Sequence, residues 1–190
     1  KYTHVIWLAA IVGDGACAQN PDLTKSVNVD SVRNFLRKAK RRLIYLSTCS
    51  VYGAQNDMLN ENSSTKPLSL YAYTKLEAEK LVLKNRGLVF RLGTLFGMGD
   101  NYSRIRLDLV VNFLALRAFR DGHITVYGGE QWRPLLAVSD AARYLVEAVN
   151  VSHAGIYNLK YENTKISDLA KRFKKLFPGL SVEYTDIQFE

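Results

Sequence analysis

The sequence predicts an α/β fold in which a doubly wound sheet of parallel strands is wrapped by helices, and three observations carry that prediction. Short apolar runs rich in β-branched and aromatic residues recur in the first half of the chain, at Val5 to Val12, Leu43 to Leu46 and Leu88 to Leu92. Segments with helical spacing separate each run from the next. Two strand-helix-strand crossovers of this size require parallel strands, because only a long connection carries the chain back to the same end of a sheet. A chain of 190 residues with 47% hydrophobic content is large enough for one domain with a small lobe attached.

The elements follow in order. Val5 to Val12 reads as a buried strand closed by Gly13-Asp14-Gly15. From Leu23 to Lys40, Val29, Val32, Phe35, Leu36 and Ala39 mark a helix, and Leu43 to Leu46 is a second strand running into Ser47-Thr48-Cys49-Ser50. A polar loop from Gln55 to Lys66 leads to Pro67, and Ser69 is placed to cap a helix from Leu70 to Asn85, followed by the third strand, Leu88 to Leu92. After Gly97-Met98-Gly99-Asp100 the pattern changes: Ile105, Leu109, Phe113, Leu116 and Phe119 define the apolar face of a helix that Gly122 ends. A strand from Ile124 to Tyr127, a Gly-Gly turn, a helix capped near Ser139 or Asp140, and a strand from Ile156 to Leu159 come next. A helix from Ser167 to Phe177, stopped by Pro178-Gly179, and a strand from Ser181 to Tyr184 complete the pattern.

Composition narrows the function classes. The two cysteines, Cys17 and Cys49, are too few for a disulfide framework, and with three histidines they show no metal-ligand spacing, so no metal site is expected and the default setting is cytoplasmic. The first residues lack the pattern of a signal peptide, Val5 to Val12 is too short to cross a bilayer, and the Asn-x-Ser sequons at Asn62, Asn101 and Asn150 are expected to be chance matches. The net charge of +8 invites a nucleic-acid reading, but the densest basic run, Arg37 to Arg42, closes a helix, where the macrodipole favours cations. It is read as a solvated helix end, with neither nucleic acid nor membrane as partner.

Two motifs compete for the chemistry. Gly13-Asp14-Gly15-Ala16-Cys17-Ala18 formally matches a dinucleotide fingerprint, but that fingerprint must lead straight into a helix facing the pyrophosphate, and Pro21 interrupts any such helix. An ordinary turn and short loop is the expected account. Tyr71-Ala72-Tyr73-Thr74-Lys75 places a phenol and an ammonium one helical turn apart. A free tyrosine, with a pKa near 10, is a poor base; lowering it to about 7 takes about 4 kcal/mol, and a nearby cation works in that direction. Tyr161 to Lys165 repeats the spacing in a polar connection and is read as an exposed turn, whereas Tyr71 follows a buried strand whose end offers Ser47, Thr48 and Ser50.

With Trp7 to Ala10, Val27-Asn28-Val29, Ser47 to Gly53, Pro67 to Lys75, Arg91 to Gly97 and Gln131-Trp132-Arg133 in this order, the chain resembles the extended short-chain dehydrogenase/reductases, the NAD-dependent epimerase/dehydratase type that remodels nucleotide sugars. The resemblance implies a Rossmann-like doubly wound parallel sheet lacking its first strands, with a small α/β substrate lobe: residues 1–97 rejoined by 138–160 for the first, 98–137 and 161–190 for the second. It implies catalytic roles for Thr48, Tyr71 and Lys75, cofactor contacts from Leu8, Ala9, Ala10, Asn28, Tyr71 and Lys75, and substrate contacts from Thr94, Asn112 and Arg133. For Asn112 a plain helix-surface asparagine is the rival reading. The implied cofactor is NAD or NADP, NAD favoured, with the Gly-rich phosphate loop absent from the chain, and the implied partner is a nucleotide-diphosphate sugar, with a homodimer as a further expectation. Cys49 and Ser50 stand where the dehydratase branch carries an acidic pair, which favours epimerisation or simple redox chemistry. The expected function is an epimerase-like oxidoreductase, or a fragment of one; the alternatives are a noncatalytic remnant that binds or scaffolds, and a reductase of a small non-nucleotide alcohol or ketone.

Overall fold

The computed structural model describes residues 2–39, 41–55, 58–99, 101–102 and 106–186. In chain order it contains β1 (His4–Trp7), α1 (Asp14–Gln19), α2 (Pro21–Lys25), a π-helical turn (Ser26–Asp30), α3 (Ser31–Lys38), β2 (Arg42–Thr48), a 3₁₀ turn (Cys49–Tyr52), α4 (Leu70–Lys84) and β3 (Leu88–Leu92). There follow β4 (Thr94–Phe96), α5 (Val110–Asp121), β5 (His123–Tyr127), β6 (Trp132–Ala137), α6 (Val138–Glu147), a 3₁₀ turn (Ala148–Asn150), β7 (Gly155–Leu159), β8 (Glu162–Lys165), α7 (Ile166–Leu176) and β9 (Ser181–Thr185). The chain divides into two compact units, Lys1–Leu92 with Arg143–Leu159, and Gly93–Ala142 with Lys160–Glu190.

The first unit is built on a parallel sheet of order β1-β2-β3-β7. Its strands alternate faces: Leu43 and Tyr45 of β2 and Val89 of β3 meet Val32 of α3 and Ala78 and Val82 of α4 in one core cluster. β3 is buried along its whole length, as a central parallel strand should be. Ser69 caps α4 by accepting the Ala72 N–H at 3.2 Å.

Three expectations for this unit need correction. The first strand stops at Trp7, well short of Val12. Beyond it the Ile11 backbone bonds to the Asn28 carboxamide, accepting from Nδ2 at 3.0 Å and donating to Oδ1 at 2.8 Å, so a side chain satisfies groups that a ladder would otherwise pair. Residues 14–19, read as turn and loop, form the short helix α1. Pro21 does interrupt it, but by opening α2 at a position where the missing N–H costs nothing, with Asn20 accepting the Leu23 N–H at 3.0 Å. The helix predicted to Lys40 ends at Lys38 and contains the π turn; Lys40 lies outside the described residues.

The second unit holds a three-stranded sheet, β4-β6-β8, and a parallel pair, β5-β9. Its core gathers Leu114, Ala118, Ile124, Val126, Leu135, Leu169, Ala170 and Phe173. The face predicted for α5 is wrong: Leu114 and Ala118 are buried while Phe119 is 82% exposed. Val110 to Phe119 is apolar on nearly every side, so spacing alone did not select a face; Ile105 lies outside the described residues. Gly122 ends α5 in the left-handed region, φ 60°. Residues 161–165, read as an exposed turn, include β8, which pairs antiparallel with β6. Neither β4 nor β6 was anticipated. Among the described residues no helix is long and apolar enough to cross a membrane.

Candidate active site

The first unit places the candidate catalytic residues from two elements. Thr48 is the last residue of β2, 8% exposed, and its Oγ1 both accepts the Ser50 N–H and donates to Ser50 Oγ, each at 3.1 Å. The hydroxyl therefore caps the 3₁₀ turn in this structure. Gly53, at φ 70°, lets the chain leave that turn against the Lys66 carbonyl, where an added Cβ would collide at 2.0 Å. The returning strand of the loop is tied down by the Lys66 N–H donating to the Val51 carbonyl at 3.0 Å, and α4 begins four residues later.

On α4, Tyr71, Lys75 and Glu79 recur every four residues and so lie along one face. That face meets β2. The Lys75 ammonium stands 4.2 Å above the ring of Tyr45, and Tyr45 also feels Tyr71 and Glu79 electrostatically. Burial lowers Lys75 to about 8, opposed by Glu79 and by the Cys17 thiol of α1. Burial, then Tyr71 and Glu79, push the Tyr45 phenol upward, so it stays protonated.

Behind this face runs a buried polar network that sequence reading missed. Glu79 takes Arg91 of β3 in a bidentate pair, with Nη2 to Oε2 at 2.8 Å and Nε to Oε1 at 3.1 Å, and accepts the Ser47 hydroxyl as well. Arg91 further donates to Tyr52 Oη at 3.0 Å, and Tyr52 donates to Asn158 of β7 at 2.7 Å. One signal was available: an arginine inside the otherwise apolar run Leu88 to Leu92 demands a buried carboxylate.

Leu8 and Ala9, just past β1, are exposed, Leu8 by 68%, and Ala10 is half-buried. Asn28 is buried, and its amide is spent within the chain on Ile11 and, at 3.1 Å, on Thr74 Oγ1 of α4. It thereby holds the loop carrying Leu8 to Ala10 against the helix carrying Tyr71.

The second unit holds the three residues expected to touch substrate. Thr94 is half-buried on β4, opposite Leu135 of β6. Arg133 is exposed on β6 and donates to the neighbouring Trp132 carbonyl at 3.2 Å. Asn112 on α5 accepts the Gly97 N–H at 3.0 Å and donates to the Arg106 carbonyl at 3.1 Å, beside a cavity of about 290 Å³ lined by Phe96, Met98, Leu107, Val111 and Ala115. Among the described residues no group of three or more metal-ligating side chains gathers.

A parallel sheet with a tyrosine and a buried lysine one turn apart beside a hydroxyl-bearing strand end defines a Rossmann-type α/β protein. The chain belongs to the NAD dependent epimerase/dehydratase family, whose pattern it matches over residues 1–159. It is 28% identical over 137 residues to the uncharacterized UDP-glucose epimerase YtcB of Bacillus subtilis, covering 66% of this chain and 42% of that protein. It is 32% identical over 184 residues to UDP-glucuronic acid decarboxylase 1 of Arabidopsis thaliana, covering 87% of this chain and 41% of that protein. The UDP-glucuronic acid 4-epimerase of Bacillus cereus, solved with UDP-glucuronic acid and NAD, superposes with a TM-score of 0.80 at 25% identity over 98% of this chain and 62% of that one. The chain thus spans less than half the length of these curated relatives.

Proposed function

We propose that this chain is the catalytic portion of an NAD(P)-dependent enzyme that oxidises and re-reduces a carbon of a nucleotide-diphosphate sugar, working within a longer polypeptide. The observation that carries the reading is the shared face of Tyr71 and Lys75 on α4, with Lys75 buried and its ammonium free of any hydrogen-bonded carboxylate among the described residues. A relative named as a UDP-glucose epimerase and a neighbour solved with UDP-glucuronic acid and NAD support the substrate class.

The residues fit one end of the implied cofactor. An ammonium that meets a ring face, with no hydrogen-bonded carboxylate among the described residues, retains its donors for ribose hydroxyls, and exposed Leu8 and Ala9, just past β1, offer apolar surface. The pyrophosphate cradle is not found among the described residues: α1 begins at Asp14, past a six-residue gap after Trp7, has only six residues, and opens with a carboxylate. When bound, a nicotinamide supplies hydride acceptance and return. Tyr71 then takes the proton from the reacting sugar hydroxyl and gives it back, and the Lys75 charge favours its phenolate. Thr48, once its hydroxyl turns from Ser50, holds the same sugar oxygen. Arg133, with its forked donors and exposed position, suits the diphosphate, and Thr94 the sugar.

Cys49 and Ser50 offer no carboxyl pair to expel water, so epimerisation or simple redox is preferred to dehydration. The test is Tyr71→Phe in the longer polypeptide, assayed against a panel of UDP-, GDP- and dTDP-sugars. Turnover is expected to fall at least about 100-fold with sugar binding retained; turnover near wild type would remove the acid/base assignment.

A further inference from the structure

A buried ammonium needs a partner, and the obvious one is taken. Glu79 lies one turn beyond Lys75, yet its two oxygens are committed to the Arg91 guanidinium and the Ser47 hydroxyl. Lys75 is only 4% exposed, and the Tyr45 ring lies 4.2 Å from its Nζ, well inside the range of a cation–π contact. Tyr45 sits mid-strand, fixed between Trp7 of β1 and Val89 of β3, with its side chain packed among Val32, Ala78 and Val82. Its hydroxyl is buried and has no hydrogen-bond partner among the described residues. The ring is therefore oriented by packing, and the hydroxyl contributes nothing to holding it.

We propose that Tyr45 is a positioning residue: its ring face is the platform on which the Lys75 ammonium stands, keeping the cation charged and aimed beside Tyr71 without a carboxylate that would neutralise it. The proposal rests on reading Tyr71 and Lys75 as the acid/base pair. A carboxylate in place of the ring would pair with the ammonium and cancel its effect on a phenolate, whereas a ring stabilises the charge and leaves its donors unspent. The charged or titratable groups facing the pair are Glu79 and Tyr71 on α4, Cys17 on α1 and Tyr45 itself on β2.

The test follows Lys75 by NMR of lysine side chains in the 190-residue chain from neutral to alkaline pH, with its signal assigned through Lys75→Met. The wild-type midpoint is expected near the lowered value of about 8. Tyr45→Phe keeps the ring and removes the orphaned hydroxyl, so the midpoint should stay in place. Tyr45→Leu removes the ring face, and the midpoint should drop by about one pH unit, the equivalent of one moderately desolvated cation–π contact. Should the leucine variant fail to fold, pentafluorophenylalanine at position 45 preserves the shape while reversing the ring's charge distribution, and the same drop is expected. A midpoint unmoved by loss or reversal of the ring face, or one that falls in Tyr45→Phe as far as in Tyr45→Leu, overturns the platform. The titration needs neither cofactor nor substrate. A negative result here leaves the catalytic reading to Tyr71→Phe, and failure of that variant's assay leaves the titration interpretable.

Discussion

Lys75 carries a cost that pH should reveal. A lysine in the unfolded chain titrates near 10.4, and burial in the native state lowers it to about 8. Below about pH 8 both states are charged, and the native state bears the whole desolvation cost. Between about pH 8 and about pH 10.4 the native group is neutral while the unfolded one still binds a proton, so stability rises with pH through this window. Above it neither state is charged and the cost is gone. Lys75→Met fits the same space without a charge. It should therefore be more stable than wild type by ~3 kcal/mol at neutral pH, at about 1.4 kcal/mol per pH unit, with the difference closing near pH 10.5. Urea unfolding of the two proteins across this range measures it; a pH-independent difference would mean that Lys75 is not desolvated as the structure shows. A destabilising charge kept buried on a helix face is the local conflict expected of a functional site.

Among the elements, α4 depends on the pair it makes with β3. Glu79 and Arg91 are each nearly inaccessible, and either charge left alone would be stranded. Glu79→Gln or Arg91→Met alone is expected to cost about 3–5 kcal/mol in urea unfolding, whereas Glu79→Met with Arg91→Met should recover most of the loss. Additive losses in the double variant would show that the two side chains are not coupled. The same network explains what could and could not be read in advance. The strands β2 and β3 were legible because parallel strands buried on both faces read as unbroken apolar runs, and Tyr71 and Lys75 because spacing on one helix is a local property. Tyr45 and Glu79 were not, since their partnership depends on how β2 lies against α4, which no local pattern records. β6 and β8 escaped for a different reason: Trp132-Arg133-Pro134 and Glu162-Asn163-Thr164-Lys165 are polar or exposed segments held by pairing with each other. Asn28 is expected from the resemblance to contact the cofactor; in the structure it is buried and its hydrogen bonds fix the loop beyond β1 to α4, a task that the side chain's identity alone did not reveal.

At the scale of the whole molecule the decisive fact is the direction in which the sheet grows. Among the described residues the order β1-β2-β3-β7 runs one way with no reversal, and a dinucleotide crevice in an open α/β sheet forms where the order reverses. The residues proposed for ribose and nicotinamide are Lys75 on α4 and Leu8 and Ala9 just past β1, while the helix next to β1 presents Asp14 at the place where a phosphate would need backbone donors. A site without pyrophosphate contacts, as the described residues offer it, lacks the charge-assisted bonds that anchor a dinucleotide most strongly. Isothermal calorimetry should accordingly find at most millimolar binding of NAD or NADP by the 190-residue chain. On the proposed reading, a longer polypeptide that supplies a phosphate-binding loop should bind in the micromolar range, with Lys75→Met in that form weakening the affinity about tenfold or more through loss of the proposed ribose contacts. Micromolar binding by the 190-residue chain itself would place a phosphate site inside it that the geometry of α1 speaks against. Equal affinity of the extended protein and its Lys75→Met variant would separate the lysine from the cofactor altogether.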